Sequence, residues 1–119
     1  IDSETGRRVF KEESTQETTR MLVRVVDTAL RNGAIKMDRY SVAAKTGTAQ
    51  IPDPATKGYY TDRYLHSFFG YFPAYDPEFL IFLYQKYPKG AQYASETLTD
   101  PFHTLTRFLI DYYSIPPDR

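Results

Sequence analysis

Apolar residues recur at helical spacing in two stretches of the chain and gather into short strand-like runs in three others. Met21, Leu22, Val25, Val26, Ala29 and Leu30 return every three or four positions and line one face of a helix. Just upstream, Ser14-Thr15-Gln16-Glu17 has the S-x-x-E form, in which a hydroxyl and a carboxylate satisfy amides that a helix start leaves free. Such a cap stabilises a helix by ~1 kcal/mol. Asn32-Gly33 supplies a left-handed stop, so the pattern predicts a helix over residues 15–32. Near the other end, Asp100-Pro101 reads as an N-cap followed by a first-turn proline, with Phe102, Leu105, Phe108, Leu109 and Tyr112 on one face. That second helix should end before Pro116-Pro117, because a residue preceding proline is pushed out of the helical region.

Between the helices, residues 41–50 (SVAAKTGTAQ) form a strand-like run followed by the breakers Pro52 and Pro54. Residues 67–72 and 79–86 are aromatic and β-branched runs separated by Pro73-Ala74-Tyr75-Asp76-Pro77-Glu78, the pattern of two antiparallel strands joined by a turn. Residues 51–65, with two prolines, Gly58 and three tyrosines, read as a long surface loop. Residues 1–10, with Gly6 between two short segments, read as a turn or small hairpin, or equally as a plain connector. The order helix, three strands, helix predicts an α+β fold: an antiparallel sheet of at least three strands covered by amphipathic helices.

Composition narrows the function classes. A chain of 119 residues with 41% hydrophobic content can bury one modest core, so we expect one domain at most. Fifteen basic residues balance fifteen acidic ones, and no basic stripe interleaves with the aromatics, so no nucleic-acid partner is expected. The absence of cysteine excludes a disulfide framework and thiolate metal sites. His66 and His103 lack neighbouring carboxylates at metal-ligand spacing and read as structural histidines. The aromatics at 68, 69, 71, 72, 79 and 82 read as core and cross-strand packing. The longest apolar run, residues 79–84, is too short to span a bilayer, and residues 1–10 have no signal-peptide character.

The chemistry concentrates at Lys45-Thr46-Gly47-Thr48. Strand parity puts Thr46, Thr48 and Gln50 on one face and Lys45 and Gly47 on the other. If this strand is a sheet edge, its free backbone groups can pair with an extended peptide while the two hydroxyls hold a carboxylate. Gly47, without a side chain, allows another backbone or a helix to approach on the lysine face, from which the long lysine stem can reach toward a neighbouring lobe.

K-T-G is one of the signatures of penicillin-binding proteins and class A β-lactamases. Here AAKTGTAQ, followed by HSFFGYFPAYDP and an apolar run, resembles the C-terminal part of the transpeptidase domain of class B penicillin-binding proteins, from about Ser14 to Pro116. The resemblance implies the C-terminal portion of the penicillin-binding and serine β-lactamase-like fold. It also implies that residues 1–119 are a fragment of a longer domain, consistent with a start at Ile1. The implied activity is peptidoglycan D,D-transpeptidation through an acyl-serine, with stem peptides and β-lactams as ligands, and needing neither metal nor cofactor. On this reading Lys45 and Thr48 are catalytic, Thr46, Gly47 and Thr48 bind substrate, and the Thr48 amide is one oxyanion donor, an interaction worth roughly 3 kcal/mol. Ala44 departs from the glycine of many relatives. No serine has lysine three positions on or asparagine two positions on, so the nucleophile is missing and the fragment alone should be inactive. Implied partners are the rest of the domain and a glycosyltransferase of elongation or division. The implied location is extracytoplasmic, with the membrane anchor outside these residues. The alternatives are a β-lactam sensor or β-lactamase of the same fold, or a non-catalytic interaction module.

Overall fold

A computed structural model describes residues 6–119. The turn or hairpin expected over residues 1–10 falls partly outside that range, and residues 6–9 carry no regular structure.

Helix α1 (Glu12–Arg24) begins before the S-x-x-E pattern. Its N-cap is the extended Lys11, with no side-chain cap, so the predicted capping box does not form. Glu12 and Glu13 in the first turn face the positive end of the helix dipole instead. The Thr15 and Thr18 hydroxyls donate back to the carbonyls of Glu12 and Ser14. At Val25–Ala29 the helix widens into a π turn. There the Thr28 hydroxyl donates to the Arg24 carbonyl at 2.8 Å, competing with the backbone for that acceptor. A 3-10 turn, Leu30–Gly33, ends the segment through three left-handed residues, Arg31, Asn32 and Gly33. The stop expected at Asn32-Gly33 is therefore present. Gly33 is doubly required, because a Cβ there would lie 2.5 Å from the Asp27 carbonyl oxygen.

Strands β1 (Ala43–Asp53), β2 (Gly58–Phe72) and β3 (Phe79–Lys86) form one antiparallel sheet in the order β1-β2-β3. The long loop predicted over residues 51–65 is not a loop. β1 continues through Pro52 to Asp53, residues 54–57 make the turn, and β2 starts at Gly58. Gln50 pairs with Tyr64 but Pro52 pairs with Tyr59, so Ile51 alone faces Tyr60, Thr61, Asp62 and Arg63 across a bulge. An edge strand beside a bulge is where a sheet tolerates proline, since the missing amide costs no ladder bond.

Helix α2 (Ala94–Thr97) runs into helix α3 (Thr99–Tyr113) through Leu98. Asp100 is consequently not an N-cap, and Pro101 is the third residue of α3, not the first. The Asp100 carboxylate instead accepts from Arg31 at 2.7 Å, tying α3 to the 3-10 turn. α3 ends at left-handed Ser114, before Pro116 as expected.

Register sorts the sheet into two faces. One face carries Ala44, Thr46, Thr48, His66, Phe68, Gly70 and Phe72, and it packs against α3. Phe68 and Phe102 pack with ring centroids 4.5 Å apart and planes tilted by 31°, and a Cβ on Gly70 would lie 2.4 Å from the Phe102 ring. The other face meets α1 at one end, where Val23, Ala43, Ala74 and Tyr71 cluster and the Thr19 and Tyr71 hydroxyls bond at 2.7 Å. The sheet thus lies between two helices. The predicted apolar face of α3 is only partly used: Phe102, Thr106 and Ile110 are buried, while Leu105, Phe108 and Tyr112 face outward. Phe82, expected in the packing, is likewise exposed.

Candidate active site

The K-T-G residues begin two residues into β1, immediately after a stretch that the rest of the chain holds firmly. Ser41 and Val42 are buried, as are Ala43 and Ala44. Asp118 accepts from the Ser41 amide at 2.7 Å and from the Ser41 hydroxyl, whose oxygen accepts the Ala74 amide at 3.0 Å. The Tyr40 hydroxyl donates to the Ile115 carbonyl. Arg119 makes a two-pronged bond to Asp27 at 2.6 and 2.8 Å and also donates to the Met37 carbonyl. Its bond to Asp27 raises the Arg119 pKa above the ordinary value. The C-terminal residues therefore clamp the entry to β1.

Beyond this clamp the strand opens to solvent. Lys45 and Thr48 are exposed, and Thr46 and Gly47 are half-buried. β1 is an edge of the sheet, as the edge-strand reading requires. Thr46 and Thr48 share a face, opposite Phe68 and His66 respectively, and Lys45 and Gly47 share the other, opposite Phe69 and Ser67. The four residues are thus brought together in the predicted alternation.

Two details differ from expectation. The group that approaches Gly47 is neither a backbone nor a helix but the Ser67 hydroxyl, which a Cβ would meet at 2.5 Å. The lysine does not reach outward: Lys45 Nζ donates to the neighbouring Thr46 carbonyl at 2.7 Å.

Thr48 has a partner that no local pattern indicates. Its Oγ1 accepts the backbone N–H of Ala94, at the start of α2, at 3.0 Å. A hydroxyl has one donor and two acceptor sites, so this bond occupies a lone pair and leaves the O–H free to donate to a ligand. His66, fully buried beside Thr48 on the ladder, bonds to the Thr97 hydroxyl and the Gln92 carbonyl, both at 2.8 Å. It is a structural histidine, as read from the sequence. His103, on α3, has its pKa lowered by burial and by Arg107 despite the opposing pull of Asp100.

Among the described residues no group of three or more His, Cys, Asp or Glu could hold a metal. A recess of about 410 Å³ lies beside Tyr64, Tyr87 and Gln92, and none of the K-T-G residues lines it. The K-T-G segment is an open edge, suited to an extended ligand laid along it.

Comparison with known proteins gives one consistent answer. The family model described as the penicillin binding protein transpeptidase domain matches residues 2–105. The chain is 34% identical over 82 residues to penicillin-binding protein PbpB of Mycolicibacterium smegmatis, a match covering 67% of this chain and 13% of that protein. It is 33% identical over 113 residues to the peptidoglycan D,D-transpeptidase FtsI homolog of Nephroselmis olivacea, covering 93% of this chain and 16% of that protein. The chain therefore spans less than a fifth of the length of these curated relatives. Among solved structures, penicillin-binding protein 3 of Mycobacterium tuberculosis complexed with ampicillin superposes with a TM-score of 0.74 at 26% identity, over 98% of this chain and 28% of that one.

Proposed function

Because this chain belongs to the penicillin-binding protein transpeptidase family, we propose that it is the C-terminal portion of a peptidoglycan D,D-transpeptidase domain. In this reading it presents the substrate to a serine carried elsewhere in that domain. The observation that carries the proposal is the pairing of an open K-T-G edge with a Thr48 hydroxyl that already accepts the Ala94 amide on one lone pair and keeps its proton to donate.

The stem peptide, or a β-lactam resembling it, lies along β1. Its terminal carboxylate takes the Thr46 and Thr48 hydroxyls, and charge-assisted bonds of this kind are about twice as strong as neutral ones. Gly47 makes room for the Ser67 hydroxyl behind the strand, and the peptide backbone pairs with the open edge beside it. The serine oxygen attacks the carbonyl carbon, and the Thr48 amide stabilises the oxyanion that forms. Collapse of that intermediate expels the terminal D-alanine and leaves an acyl-serine, whose acyl group passes to an amine of a second stem peptide. Lys45 turns from the Thr46 carbonyl toward the serine and supports the proton transfers there. No S-x-x-K or S-x-N sequence occurs in the 119 residues, so the chain alone should not acylate.

The reaction belongs on the extracytoplasmic side of the membrane, with a glycosyltransferase supplying the glycan strands. No described helix is long and apolar enough to cross a membrane. The direct test is Lys45→Ala in the transpeptidase that contains this chain. Labelling by a fluorescent penicillin should be lost while the melting temperature holds, since Lys45 is exposed and contributes little to the core. Labelling at the wild-type rate would refute the role given to Lys45.

A further inference from the structure

We infer that His66 is a positioning residue for the substrate carboxylate, acting through the segment 92–97 on the Thr48 hydroxyl. The inference rests on the carboxylate role just proposed for Thr48. His66 is 0% exposed and its side chain makes no hydrogen bond to the K-T-G residues, yet both of its ring nitrogens are committed. The Gln92 carbonyl can only accept, so Nε2 carries the proton. In the neutral ring Nδ1 is then the acceptor, and the Thr97 hydroxyl, whose other acceptor is the Ala94 carbonyl at 3.5 Å, donates to it.

These two bonds hold the two ends of a six-position turn, and Thr48 holds its middle. Ala94, whose N–H goes to Thr48 Oγ1, lies between Gln92 and Thr97, and Thr48 and His66 face each other across the β1–β2 ladder. Ladder, histidine, turn and threonine therefore close a ring of bonds. Within the turn, Glu96 accepts from the amides of Gln92 and Tyr93, which ties the start of the turn to its end. The direction of the Ala94 N–H decides which lone pair of Thr48 is occupied, and hence where its one proton can point. Without His66 the turn is tied to the sheet face by fewer bonds, and the Thr48 rotor loses its reference.

The test uses the transpeptidase containing this chain and a thioester substrate with a free terminal carboxylate, compared with its methyl ester. Thr48→Val sets the reference: it should depress kcat/KM for the carboxylate more than for the ester. His66→Phe, which fills the space without hydrogen bonds, and Thr97→Val, which removes a single hydroxyl, should shift the carboxylate-to-ester ratio in the same direction. Errors of placement of this kind cost about ten- to a hundredfold for the carboxylate substrate. His66→Gln, which keeps one donor and one acceptor, should recover part of the ratio. If His66→Phe does not fold, Thr97→Val alone decides. A folded variant whose ratio stays at wild type, or that slows both substrates equally, overturns the inference while leaving the Thr48 reading intact. An unchanged ratio in Thr48→Val overturns both.

Discussion

On the sheet face that carries Thr46 and Thr48, Phe68 and Phe72 are 0% and 1% exposed, whereas on the face that carries Lys45, Phe82 and Tyr84 are 59% and 69% exposed. The same three strands build both faces, so the difference lies in what covers them. α3 covers the threonine face over Ala44, Phe68 and Phe72 and leaves Thr48 exposed, whereas α1 covers the lysine face only toward its Ala43–Tyr71 end. The contrast separates two tasks. The groups proposed to grip a carboxylate stand on a core that this chain completes by itself. The lysine stands on a surface whose apolar side chains no described residue covers, where the proposed serine-bearing partner would sit.

The largest expected effect would break the comparison outright. Expressed by itself, the chain should self-associate through its exposed aromatic face and the β3 edge, because unpaired apolar edges are templates for intermolecular pairing. Light scattering should show oligomers, and Phe82→Ser with Tyr84→Lys should shift them toward monomer. A wild-type chain running as a sharp monomer with a cooperative melt would mean that this face needs no covering. Next, Phe102→Ala should destabilise the fold by about 3–5 kcal/mol in urea titration, against little change for Phe82→Ala. Equal costs would erase the distinction between the faces.

A smaller effect tests the clamp at the entry to β1. Asp118→Ala leaves the buried Ser41 hydroxyl and amide without their acceptor, and hydrogen bonds to charged groups are worth about 1.5–3 kcal/mol. Amide exchange at Ala43 and Ala44 should accelerate, and protection equal to wild type would argue against a clamp.

The smallest effect is that of His103. Its folded pKa lies below the ordinary value of about 6.5, so between the two values the unfolded chain binds more protons. Stability is unaffected above that window, declines as pH falls through it, and is fully reduced below the folded pKa. His103→Gln should flatten this slope in melts between pH 7 and pH 5, and a slope that persists would assign the pH dependence to other groups.

Local chemistry was legible in the sequence where it sufficed to fix the structure. The left-handed stop at Asn32-Gly33, β3, the end of α3 and the alternation along Lys45-Thr46-Gly47-Thr48 all follow from neighbours in the chain. What misled was context. Residues 12–19 are all charged or polar, so several positions compete as helix starts, and the S-x-x-E pattern did not win. Pro52 and Pro54 read as breakers, yet an edge strand with a bulge accommodates Pro52. Asp100 resembled a cap because nothing local announced Arg31 as its partner. The bonds from Thr48 to Ala94 and from His66 to Gln92 and Thr97 join positions 46, 26 and 31 residues apart. No periodicity reports such pairs; a buried histidine facing a threonine across a ladder was the nearest available signal.

In the function proposed above, the threonine face of β1 receives the carboxylate of the ligand. A crystal structure of the containing transpeptidase acylated by a carboxylate-bearing β-lactam measures this directly. The Thr46 and Thr48 hydroxyl oxygens should lie within about 3 Å of that carboxylate, with Thr48 still accepting the Ala94 amide. A carboxylate bound away from both hydroxyls, with the acyl group nevertheless on the serine, would contradict it.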